Sequence, residues 1–157
     1  MLGQLFRLEH MFEPSGADAG DGPVLAGSDQ PPGVGLAGVL AGVDVQSLGG
    51  DALTEVIAGC ERLICWAHAN QLAAITALEA RMAALVDTLP EGPGFTIDAG
   101  ELTVAEVAIT LTVSESSAGN RVALAGRLED LPATAAALAV GAIDLGRVRA
   151  ITEAPGC

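Results

Sequence analysis

The chain has 157 residues, long enough for one domain with a hydrophobic core. Half of the residues are apolar but only 3% are aromatic, and seven Arg with no Lys face twenty Asp and Glu, giving a net charge of -13. That balance argues against a stand-alone nucleic-acid binder, whose phosphate contacts need clustered basic groups in a positive field.

Residues 1–13, MLGQLFRLEHMFE, could wind into a short helix with Leu2, Leu5, Phe6 and Phe12 roughly on one side, but so short a helix needs something to pack on. Pro14 to Gly35 hold four prolines, six glycines and three aspartates, a composition that buries too little apolar surface to offset its ordering entropy. Val34 to Val45 is small and apolar, with too many glycines to define an element. Residues 1–46 are therefore expected to form a flexible N-terminal segment and residues 47–157 a helical domain.

From Ser47 the pattern turns helical. Asp51 is the expected N-cap, and apolar residues recur with three-four spacing from Leu53 through Leu85, predicting a helix of about ten turns that ends before Pro90. Phe95 to Ile97 reads as a short extended piece. Glu101 to Leu111 is predicted helical. Ser114 caps the next helix, which runs to about Leu128 with Ala118, Val122, Ala125 and Leu128 as its apolar stripe. Pro132 opens another and Gly141 closes it; Asp144 caps the last, from Leu145 to about Thr152. The predicted fold class is all-α, a long helix packed with several shorter ones.

No membrane span is expected, because the longest uncharged stretch, Leu63 to Leu78, has sixteen residues and includes His68, Asn70 and Gln71, too short and too polar to cross a bilayer. The N-terminus lacks a basic stretch followed by a sustained apolar one, so no secretory signal is visible and the cytoplasm is the expected compartment. Met11 is an alternative start to Met1.

Chemistry-bearing residues are sparse. Cys60, Cys65 and His68 are zinc-compatible types, but residues five apart on a helix diverge, and Cys65 with His68 supplies only two ligands. A cysteine nucleophile needs a histidine partner, and His68 is the only candidate beside His10. There is no nucleophile elbow and no phosphate-binding glycine loop. No catalytic residue, metal or cofactor is expected.

Thr103 to Leu128 has the rhythm of a helix-turn-helix, in which the second helix would present Ser116, Ser117, Asn120 and Arg121 to a groove. Two features weaken the match: Thr112 stands where a turn glycine is common, and Glu115 would face phosphates. By segment the net charge is -5 for residues 1–50, -7 for 51–113 and -1 for 114–157. Arg121, Arg127, Arg147 and Arg149 in the near-neutral last third are the candidate nucleic-acid contacts, with helix-end dipole complementarity and exposed ion pairs as the structural alternative.

The phrases Gln71-Leu-Ala-Ala-Ile75, Ala105-Glu-Val-Ala108, Leu131-Pro-Ala-Thr134 and Gly141-Ala-Ile-Asp144 make residues 50–154 resemble the N-terminal domain of unknown function number 222. That domain occurs in HNH-endonuclease-like proteins and the related 13E12 repeat proteins of high-GC Gram-positive bacteria. The resemblance implies association with DNA processing or mobile elements, in relatives that continue into a metal-dependent HNH nuclease module. No H…N…H arrangement and no paired C-x-x-C occur here. The expectation is therefore a truncated member: a non-catalytic accessory domain whose DNA partner is reached through the relatives' nuclease module. The alternative is a protein-interaction or homo-oligomerisation module built on the long helix, with Leu78 and Met82 at the contact.

Overall fold

The computed structural model describes residues 27–89 and 98–154, and among them finds six α-helices, one 3-10 turn and no strand. The helices are α1 (Val34–Ala41), α2 (Gly50–Val86), α3 (Ala99–Leu111), α4 (Glu115–Glu129), α5 (Pro132–Ala139) and α6 (Leu145–Glu153), with the 3-10 turn Val45–Ser47 between α1 and α2. The all-α class and the dominant long helix stand as expected. The expected helix at residues 1–13 and the extended piece at 95–97 lie outside the described residues.

Helix α2 has 37 residues, about 55 Å at 1.5 Å per residue, and it is the spine: α1, α3, α4 and α5 all pack against it. Its start corrects the expected cap. Gly49, in extended conformation, is the N-cap and offers no side chain, while Asp51 sits inside the first turn, where a carboxylate complements the exposed N–H groups and the helix dipole. Leu72 and Ile75 of α2 join Val107, Ala118, Val122, Leu124, Ala125, Leu128, Leu138 and Val148 in one buried cluster. The stripe predicted for α4 is the face that enters it.

Helix α1 falls in a stretch whose composition did not define an element. Two of its eight residues are glycine, so propensity alone does not hold it. Tertiary packing does: Leu36 is fully buried, and Gly59 of α2 lets α1 approach, since a Cβ there would lie 3.2 Å from Leu40 Cδ1.

The other helix starts follow local chemistry. The Asp98 carboxylate accepts from the Glu101 N–H at 2.8 Å, beginning α3 two residues before the predicted start. The Ser114 hydroxyl accepts from the Ser117 N–H at 3.3 Å, Pro132 occupies the first turn of α5, and Asp144 accepts from the Arg147 N–H at 2.8 Å. Each satisfies a donor that a helix N-terminus leaves free or, for proline, removes one. Thr103, the buried polar residue of the core, donates its hydroxyl to the Ala99 carbonyl at 2.8 Å.

Two helix ends are built alike. After α3, Thr112 takes a left-handed conformation (φ 53°), its N–H bonds Ile109 O, and the Val113 N–H reaches back to Ala108 O. After α5, Gly141 (φ 74°) bonds Leu138 O and the Ala142 N–H reaches Ala137 O. Both are Schellman endings, in which the left-handed residue is usually glycine. Thr112 thus occupies a glycine position with a β-branched side chain. Val113, packed on the core, anchors the turn.

Candidate functional site

The four candidate arginines lie on two helices, and neither pair shares a face of its own helix. Arg121 and Arg127 are six residues apart on α4, which turns them about 120° from each other around the helix axis. Arg147 and Arg149, two apart on α6, diverge by about 160°. Arg121 is half-buried, with its Nη1 3.5 Å from Gln71 Oε1 on α2. Arg127 is exposed in the last turn of α4, where a cation complements the helix C-terminus. Arg147 is occupied at its own helix start: its Nε lies 3.7 Å from Asp144 Oδ2. The Arg147 N–H first, and its guanidinium second, hold the exposed Asp144 carboxyl below the usual carboxylate range. Arg149 is exposed.

The rest of the helix-turn-helix reading meets the same geometry. Ser116 and Asn120 are exposed and Ser117 is half-buried behind the Ser114 cap, while Glu115 brings a carboxylate to the exposed first turn of α4. Helices α3 and α4 do pack on each other across the short turn, yet that is equally the way small helical domains bury their apolar stripes.

Cys60 is exposed on α2, whereas Cys65 is buried with 2% of its surface accessible. Burial pushes the Cys65 thiol up, and the neighbouring Glu61 carboxylate, 3.8 Å away, adds to the shift. That is the opposite of an activated thiolate. His68 is half-buried, its Nδ1 without a hydrogen-bond partner among the described residues. Among the described residues no group of three His, Cys, Asp or Glu side chains is placed to hold a metal ion.

What the helices do assemble is an apolar groove of about 510 Å³ between α2, α4 and α5. Trp66, Ala69, Leu72 and Ala73 of α2 form one wall, Ala125 and Leu128 of α4 the floor, and Ala135, Ala136, Leu138 and Ala139 of α5 the other wall. Asn70, Thr76 and Glu129 supply its polar atoms, although the Asn70 amide is already donating to the Trp66 carbonyl at 2.8 Å. Small side chains make the trough: alanines on α2 face alanines on α5, so neither helix fills the space between them. Apolar walls with a few polar groups at the edge suit an apolar ligand or peptide side chains. A smaller cleft of about 180 Å³ lies between α2 and α3.

Sequence reasoning passed over Trp66, the chain's single tryptophan. The available signal was its spacing, since Trp66, Ala69, Asn70 and Ala73 recur at helical intervals on one side of α2. Arg62 was missed as well. Its Nη2 donates to the Ser28 carbonyl, and its backbone lies directly beneath Gly141, tying residues 27–28 and the α5–α6 turn to α2. Leu78, expected at an oligomer contact, is half-buried against the domain's own core and lines the smaller cleft. Ile57 and Ile64, by contrast, stand 69% and 48% exposed.

No helix among the described residues is long and apolar enough to cross a membrane. No curated protein and no solved structure matches the chain. A family model described as Domain of unknown function (DUF222) matches residues 65–155, a span that starts at buried Cys65 and takes in the groove's walls and floor and the whole of α3 to α6. The chain belongs to the DUF222 family.

Proposed function

We propose that this chain is a non-catalytic accessory domain that works by holding a protein segment in the α2/α4/α5 groove. In longer family members of HNH-endonuclease type, such a domain would position or regulate the nuclease module, and contact with DNA would be made by that module. The observation that carries the reading is the groove: an apolar trough with one tryptophan at its wall, in a chain whose net charge is -13. Association with DNA processing or mobile elements belongs to this proposal on the strength of the sequence resemblance, and a cytoplasmic setting is proposed with it. A reading as an oligomerisation module with no nucleic-acid role draws on a different observation, the exposed Ile57 and Ile64 seven residues apart on α2, a spacing that repeats a helix face.

Titration of the whole chain into fluorescently labelled duplex DNA at low salt tests the proposal by anisotropy. No saturable binding is expected, and the variant with Arg121, Arg127, Arg147 and Arg149 all replaced by Ala should behave as the parent does. Binding that weakens with log[salt] at a slope of roughly -4, as four phosphate contacts would give, and that disappears in this variant would overturn it.

A further inference from the structure

The two ends of the groove differ. Helix α5 follows closely on Glu129, the last residue of α4, and is itself followed by Gly141, which packs on Arg62, one helical turn before Trp66. One end therefore holds the half-buried indole of Trp66 and the other the exposed carboxylate of Glu129. Among the described residues that line the groove, Glu129 is the charged one, and no ion pair among the described residues engages it. Arg127, in the same last turn, is turned about 160° away from it around the helix axis. Glu129 also stands at the C-terminus of α4, where the helix dipole favours a cation. An apolar trough with an uncompensated negative end suits an occupant that is apolar along its length and positive at that end. The occupant's backbone is constrained too. An extended segment would bury N–H and C=O groups against alanine, with no strand edge among the described residues to pair them. The groove's neutral polar side chains, Asn70 and Thr76, make no ladder, and the Asn70 amide already donates to the Trp66 carbonyl. A helix satisfies its own backbone, and small residues on both walls let its axis come close.

We propose that the groove's occupant is an amphipathic α-helix of a partner protein, with a large apolar side chain against Trp66 and an arginine or lysine against Glu129. The eight residues of α5 measure about 12 Å, so these two side chains fall about seven residues apart on one face of the partner helix. This rests on reading the groove as a protein-binding surface and specifies the chemistry of what it binds.

Trp66 is the only tryptophan, so its fluorescence reports the groove directly. The probe is a synthetic peptide of about 16 residues, hydrocarbon-stapled on its outer face because so short a helix is marginal in water. It carries a leucine stripe and, about seven residues from the first leucine on the same face, one arginine; its twin has citrulline, the neutral isostere, in place of that arginine. Titrated into the full chain at low salt, the arginine peptide should shift Trp66 emission saturably to the blue and bind about three- to fivefold more tightly than its twin, as an exposed ion pair gives. In Glu129→Gln, with helix content checked by circular dichroism, the two peptides should bind alike, and salt at about 1 M should close the gap in the parent. Equal affinity of the two peptides for the parent, with both lost in Ala136→Arg, would overturn the proposal and leave the groove reading in place. An arginine preference that persists in Glu129→Gln would overturn it as well, since the net charge of the chain would then be its cause. Tighter binding by an unstapled peptide with a central proline would overturn the helical form of the occupant. Trp66 emission that neither peptide changes would overturn the proposal together with the groove reading on which it rests.

Discussion

Replacing Leu138 by alanine should lower the folding stability by about 3 kcal/mol, within the range of roughly 2–5 kcal/mol found for buried leucines. Leu138 is fully buried on α5, the shortest of the helices that wall the groove, and it joins the core cluster of α2 and α4. An eight-residue helix has too few internal hydrogen bonds to persist by itself, so α5 stays in place through this side chain. Truncation removes its transfer free energy and leaves a hole that the alanines of α2 and α5 are too small to close. Urea unfolding followed by far-ultraviolet circular dichroism would show the loss as a lower midpoint. A change under about 1 kcal/mol would mean that α5 is held by something other than Leu138.

Gly141→Ala should cost a similar amount for a different reason. The residue sits at φ 74°, where an L side chain is strained, and the added Cβ would lie 2.8 Å from Arg62 Cγ and 2.9 Å from Arg62 Cα. The left-handed conformation alone costs about 1–2 kcal/mol. The contact with the α2 backbone cannot be relieved by rotating a side chain, so the α5–α6 turn must lift from α2, and a total of about 3 kcal/mol is expected. Thermal melting would detect it as a fall in Tm. A variant that melts with the parent would show that the α5–α6 turn does not pack on Arg62.

Why the helices were legible and the groove was not follows from where each is encoded. Ser114, Pro132, Gly141 and Asp144 act on their own helix ends, so one stretch of sequence contains both the cause and the effect. The buried stripe of α4 was readable for the same reason: its period is local. Helix α1 was not, because it depends on Leu36 entering a face of α2 that glycine at position 59 leaves open, and the two lie more than twenty residues apart. The start of α3 was misplaced by two residues because its first two residues, Ala99 and Gly100, carry no apolar period, and Asp98, which caps it, follows directly on the Phe95–Ile97 piece read as extended.

The arginines were grouped by net charge per segment, a measure that ignores helical phase. Once α4 and α6 are wound, six residues separate Arg121 from Arg127 and two separate Arg147 from Arg149, and neither interval returns a side chain to the same face. The groove escaped for the converse reason. It is made by the smallness of alanines on α2 and α5, which singly look like helix formers and together, across three helices, leave a trough.

The central claim is that this trough is the domain's working surface. Energy transfer from Trp66 to a neutral naphthalene dye tests it most directly, measured in the chain without and with Ala136→Arg, an exposed groove position. The account predicts strong transfer in the first and little in the second, because the added guanidinium fills the trough beside Trp66. Equal transfer in both, or none in either, would contradict it.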